Sequence, residues 1–118
     1  QGKSLNIKRR GTAPLTDIIR VHALATGSMS QNSFERLEDI SKTKLLPQEK
    51  YDELTNALEL LYSLRAHQQM LAIRDKREPN NNIAPDTLSF TRQRSLKEAF
   101  NVVAQAQRFL KYRYTANG

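Results

Sequence analysis

Between Arg65 and Gln69, four long polar side chains crowd little more than one helical turn: Arg65, His67, Gln68 and Gln69. They interrupt a run in which Leu54, Leu58, Leu61, Leu64 and Leu71 recur at steps of three, four or seven. That spacing stacks side chains on one face of a helix. Arg65 and Gln68 continue the stripe begun by Leu54, Leu58 and Leu61. A guanidinium is a planar fork that matches a carboxylate or a phosphate. Set into an apolar seam it needs a partner, because an unpaired buried charge is very costly. Two kinds of partner are open to Arg65. One is an acid of the same bundle, Glu38, Asp39 or Glu98, which would fix helix register. The other is a ligand or a neighbouring domain.

The remaining candidates are weaker signals. Arg20 and His22 are close in sequence, and Gln107 is another long polar group in an apolar stripe. His22 and His67 read as ordinary, satisfied bundle histidines. Lys8-Arg9-Arg10-Gly11 precedes a helix start and could hold a phosphate, since glycine admits close backbone approach and helix N-termini favour anions. Asn80, Asn81 and Asn82 read first as a helix-ending turn, with Asn82 able to lock the loop through its side chain. No nucleophile elbow, phosphate-binding glycine loop or zinc-helix motif is present. Glu49, Asp52, Glu53 and Glu59 fall on the outer face of one helix, where a solvated, dipole-favoured start explains them. No catalytic residue and no metal ligand is assigned. The chain has no cysteine and two histidines, which excludes a disulfide frame and disfavours a zinc site.

The elements that must position these residues are helices. Pro47 to about Lys76 forms the longest, on the order of 40 Å at about 1.5 Å per residue. Ala57, Leu60 and Tyr62 widen its apolar face until the middle is greasy nearly all round, as for a helix inside a bundle. Before it, Lys3 to Arg10 is a short extended arm and Gly11 a break. Thr12 is an expected N-cap with Pro14 in the first turn. A first helix then spans about Ala13 to Ala25, stopped by Gly27. Asn32-Ser33-Phe34-Glu35 has capping-box spacing and opens a short helix to about Lys42 that buries Phe34, Leu37 and Ile40. Glu78-Pro79 and the asparagines end the long helix. Ser89 caps a last helix from about Phe90 to Tyr112. The fold class is therefore all-α: a bundle of four main helices, two long and two shorter, up-and-down in style, with an N-terminal extended arm.

With 118 residues the chain supports one domain around one core. The domain is placed at residues 3–114. Gln1-Gly2 is read as the remnant of a cleaved tag, 115–118 as a frayed end, and the chain as a piece of a longer protein. No apolar run approaches the roughly 20 residues a membrane helix needs, and the expected location is cytoplasmic. The net charge of +7 is spread along the chain. A solvated basic face explains it better than nucleic-acid binding, because no nucleic-acid motif accompanies it.

Four segments, taken in order, resemble a known family: LNIKRRGTAPLTDIIRVHAL, NSFERLEDI, the LYSLRAHQQ run, and NNNIAPDTLSFTRQRSLKEAF. They are similar to the putative nucleotidyltransferase substrate-binding domain. That domain ends bacterial proteins that also carry a cyclic-nucleotide-binding-like domain, paired CBS domains and a nucleotidyltransferase domain similar to that of the protein PII uridylyltransferase. The positions that carry the likeness are Lys8, Gly11, Arg20, Arg36, Arg65, His67, Gln68, Asn82, Pro85, Leu88 and Gln107, with Ser33 standing where threonine is usual.

The resemblance implies an all-helical domain packed beside a transferase active site and inactive alone. Mg2+ and a nucleoside triphosphate are implied for the parent protein, with the metal and catalytic carboxylates in an upstream domain and no cofactor in this chain. Lys8, Arg20 and Arg65 would meet nucleotide phosphates or an acidic protein substrate, while His67, Gln68 and Asn82 would shape the pocket. The alternative is a regulatory or structural module of the same signal-transduction protein, its arginines docking the upstream nucleotidyltransferase and CBS domains or a second subunit.

Overall fold

The computed structural model describes residues 4–115. The start assigned to the domain and the tag remnant lie outside the described residues; of the end expected to fray, 115–118, Thr115 is instead the last residue of a helix and 116–118 lie outside. Helices α1 (Ala13–Ala25), α2 (Ser33–Ser41), α3 (Gln48–Arg74) and α4 (Phe90–Thr115) make an all-α bundle, as its periodicity predicts. A minimal antiparallel ribbon joins β1 (Leu5–Asn6) to β2 (Asn82–Ile83), with Leu5 opposite Ile83 and Asn6 opposite Asn82. The two long helices set the long axis of 47 Å. They run antiparallel: Arg92 Nη2 donates to Ser63 Oγ at 3.2 Å, while Val102 sits beside Glu53 and Ala57 further along.

The core is a column of aliphatic side chains. Leu15, Ile18 and Ile19 come from α1, Leu37 and Ile40 from α2, and Leu54, Leu58, Leu61 and Leu64 from α3. Leu96, Ala99 and Val103 come from α4, while Ile7 and Ile83 close one end. Three helix ends obey their sequence signals. Asn32 Oδ1 accepts the Glu35 N–H at 2.8 Å and caps α2. Ser89 Oγ accepts the Arg92 N–H at 3.2 Å at the start of α4. Gly27, at φ +80°, ends α1 in a Schellman arrangement, with Ser28 N–H donating to Ala23 C=O at 3.0 Å. The end of α3 repeats that arrangement with Lys76 at φ +55°, a conformation that normally selects glycine.

The entry to α1 departs from expectation. Among the described residues of the expected arm only Leu5–Asn6 forms a strand; Lys8–Thr12 is a π-helical turn that runs straight into α1. Its last bond links Ala13 N–H to Lys8 C=O, five residues back. Asn6 Oδ1 accepts the Arg9 N–H at 2.9 Å and starts the turn. Thr12 is helical and buried and makes no cap bond. Gly11 is a contact, not a break: a Cβ there would lie 3.0 Å from both Leu61 methyls and 3.3 Å from Phe100.

Helix α3 buries one face only. Phe34 of α2 is 42 % exposed and meets Tyr62 edge-on, their ring centroids 5.5 Å apart at the surface. The apolar seam of α3 steps by three from Leu61 to Leu64, then to half-buried Gln68 and buried Ala72. Arg65, one position off that seam, is exposed, and so is Gln107 of α4. Both steps, three and four, keep a side chain near the same face. At Leu61 the leucine takes the inner position and the guanidinium is left outside, where its charge stays hydrated.

Candidate functional site

The β1–β2 ribbon brings distant segments together. Beyond its paired residues, Ile7 N–H donates to Asn81 C=O at 2.8 Å, fastening the loop before α4 to the start of the π turn. Gln68 Nε2 on α3 donates to the Asn82 carbonyl at 3.2 Å. Lys8, Gln68 and Asn82 therefore converge at one end of the bundle. Asn82 contributes its backbone there. The loop is locked by the Asn80 side chain, whose Oδ1 accepts the Asn82 N–H at 2.8 Å. Arg65 lies three residues before Gln68, so both project from neighbouring positions on one side of α3. Among the described residues no carboxylate lies within 4.0 Å of the Arg65 or Lys8 head group. Internal neutralisation by Glu38, Asp39 or Glu98 does not occur.

The other expected residues sit apart. His67 is exposed, about 100° round α3 from Gln68. Arg20 is exposed on α1 and bonds Asp17 Oδ1 at 2.8 Å within its own helix. Arg36, carried by the resemblance, holds a loop: its Nε donates to the Ser30 carbonyl at 3.0 Å. In that loop Ser28 and Ser30 hydroxyls both donate to Asp39 Oδ2 at 2.7 Å, and these bonds hold the Asp39 carboxyl below its usual pKa.

His22 is not a satisfied bundle histidine. It is 1 % exposed, and its Nδ1 has no hydrogen-bond partner among the described residues. Its ring centroid lies 6.3 Å from those of Phe109 and Tyr114. It borders a cavity of about 40 Å³ shared with Leu46, Lys50, Glu53 and Gln105. Burial, then the Arg113 charge, lowers its pKa.

A groove that the sequence reading did not assemble runs along the first three turns of α4. The Arg10 guanidinium carbon sits 4.7 Å from the centre of the Phe100 ring. With Phe90, Gln93, Arg94 and Lys97 these two line a volume of about 380 Å³, and no carboxylate is among its lining residues. Phe90 is 77 % exposed. The signal was present as Phe90, Arg94 and Lys97 at steps of four and three, one face of a helix. A second depression, of about 670 Å³ between α3 and α4, mixes Arg94 with Glu53 and Glu98. Among the described residues no group of three His, Asp or Glu side chains could hold a metal ion. No helix is long and apolar enough to cross a membrane.

These features supply cations, amides and aromatic faces for an anionic ligand. Among known proteins, no curated protein and no solved structure matches the chain. A family model described as "Putative nucleotidyltransferase substrate binding domain" matches residues 1–114. That match covers nearly the whole chain, so the chain belongs to the putative nucleotidyltransferase substrate binding domain family.

Proposed function

We propose that this domain binds and positions a substrate for nucleotidyl transfer and is itself non-catalytic. The observation that carries the reading is the open cationic end: Lys8 and Arg65 beside the Gln68–Asn82 bond, without acid partners among the described residues. Cations left unpaired next to an ordered amide suit a phosphate or carboxylate brought from outside. Catalytic carboxylates and Mg2+ would belong to a nucleotidyltransferase domain of the same protein, and a nucleoside triphosphate would be one of the parent protein's two substrates. CBS and cyclic-nucleotide-binding domains would supply a signalling input in the cytoplasm. His67 would flank the site, and Arg20, held by Asp17, would lie outside it.

The test is nucleotidyl transfer by the parent protein carrying Arg65→Gln or Lys8→Gln. Removing one charge-assisted hydrogen bond, about 1.5–3 kcal/mol, should raise KM for one substrate roughly ten-fold or more with kcat little changed. Unchanged kinetics in both variants would count against the reading.

A docking module for neighbouring domains or a second copy is favoured by one further observation. Met70 and Ile73, near the end of α3, are 66 % and 76 % exposed. On that reading Arg65→Glu weakens domain association and leaves nucleotide affinity intact.

A further inference from the structure

We infer that the groove between the π turn and α4 is a nucleotide site that takes a nucleoside triphosphate, its base on Phe90 and its phosphates on Arg94, Lys97 and Arg10. The inference deepens the substrate-binding reading and rests on it: of the two substrates that nucleotidyl transfer needs, the groove receives the nucleotide.

Three observations converge on that ligand. The first is charge. Arg10, Arg94 and Lys97 line the groove, no carboxylate lines it, and among the described residues none of the three is in an ion pair. A polyanion entering there meets three cationic donors and no lining carboxylate. The second is the aromatic surface. Phe90 is an exposed phenyl ring with 77 % of its surface in water, at the groove's end rather than in the core. Phenyl faces accept stacked bases of any identity. Phe100, by contrast, is already covered by Arg10 at 4.7 Å, which holds that guanidinium on the groove's wall.

The third is scale and order. Along α4 the groove presents ring, amide and then cations: Phe90, Gln93, Arg94, Lys97. Phe90 to Lys97 spans about 10 Å at 1.5 Å per residue, an extended base-to-phosphate reach. The volume of about 380 Å³ falls in the range of small-molecule sites. A polynucleotide track would need the groove to continue along α4, and its lining ends at Phe100.

Arg10, Arg94 and Lys97 share the groove, so an anion that enters it relieves their mutual repulsion. Gln93 is held beside them, its Nε2 donating to the Leu88 carbonyl at 3.1 Å. The amide therefore sits in a fixed place when the ligand arrives.

The test is calorimetric titration of the chain with ATP at about 0.15 M ionic strength, with tripolyphosphate and a short oligouridylate as comparators. Saturable one-to-one ATP binding is expected, weakened about ten-fold by Arg94→Gln or Lys97→Gln and several-fold by Phe90→Ala. All three side chains are exposed, so the variants should keep the far-ultraviolet circular dichroism of the parent. Tripolyphosphate should bind more weakly than ATP. Absence of ATP binding overturns the inference. Equal affinity for tripolyphosphate with Phe90→Ala silent overturns it too, because no nucleoside is then recognised. Tighter binding of oligouridylate than of ATP overturns it in favour of a polynucleotide. Loss of ATP binding in Arg65→Gln and Lys8→Gln, with the groove variants silent, moves the nucleotide to the Gln68–Asn82 end. In that case the groove assignment falls and the substrate-binding reading stands.

Discussion

Replacing Gly11 by alanine tests whether this glycine is a hinge or a contact. If it merely broke the chain, alanine would be welcome. The residue is helical, and alanine exceeds glycine in helix propensity by about 1 kcal/mol. The geometry argues the opposite. The new methyl would lie 3.0 Å from both Leu61 methyls and 3.3 Å from Phe100. Leu61 is 0 % exposed and cannot swing into solvent. Overpacking of that kind costs about 1–3 kcal/mol. The net expectation is a loss of about 1 kcal/mol, or roughly 3–5 °C in Tm for a domain of this size.

The decisive measurement is a double-mutant cycle with Leu61→Ala, followed by urea unfolding and circular dichroism. Leu61→Ala alone should cost about 2–5 kcal/mol. It also removes the two methyls that the new Cβ would strike. In that background Gly11→Ala should become stabilising by about 0.5 kcal/mol, since its helix propensity then opposes only the 3.3 Å approach to Phe100. The coupling is thus on the order of 1–3 kcal/mol and of rescuing sign. Stabilisation by Gly11→Ala in the parent background would refute the contact argument. So would an equal cost in both backgrounds.

Stability should fall with acid through the histidine range. His22 has its pKa lowered by burial and by Arg113, so the unfolded chain, with a pKa near 6.5, takes up the proton first. The contribution is complete above that value and lost as pH drops below it, at up to about 1.4 kcal/mol per pH unit. Denaturant midpoints from neutral pH downward should show this slope, and a His22→Gln variant should flatten it. Asn32→Ala should cost about 1 kcal/mol by deleting the α2 cap, whereas Asn32→Asp should be nearly neutral. Lys76→Gly should raise stability by about 0.5–1 kcal/mol, since glycine adopts the φ of +55° without penalty; a lower thermal midpoint would contradict that.

The helices were legible because their signals are local. Leucines at helical spacing, the Asn32 side chain three residues before an amide, and Gly27 after the last turn of α1 each act within a few residues of chain. What sequence could not decide was which of two allowed steps a seam takes. From Leu61, Leu64 and Arg65 are equally placed by periodicity, and only the packing of α1 and α4 selects Leu64. Gly11 was misread for the same reason. Its meaning lies in Leu61 and Phe100, fifty and eighty-nine residues away, and no local pattern encodes that approach.

The groove was illegible on the same grounds, and Gly11 links the two. Arg10 reaches the Phe100 ring from the residue immediately before Gly11. The missing Cβ lets the π turn lie close against Leu61 and Phe100, and that approach carries Arg10 onto the groove wall opposite Arg94 and Lys97. A basic run beside a glycine reads in sequence as a loop able to cradle a phosphate through its backbone. In the folded chain the glycine instead brings a side-chain cation to a site built by another helix. Gly11→Ala should therefore weaken any ligand that uses Arg10 as well as lowering stability. The two effects should separate in the Leu61→Ala background, where the turn can settle without being pushed outward.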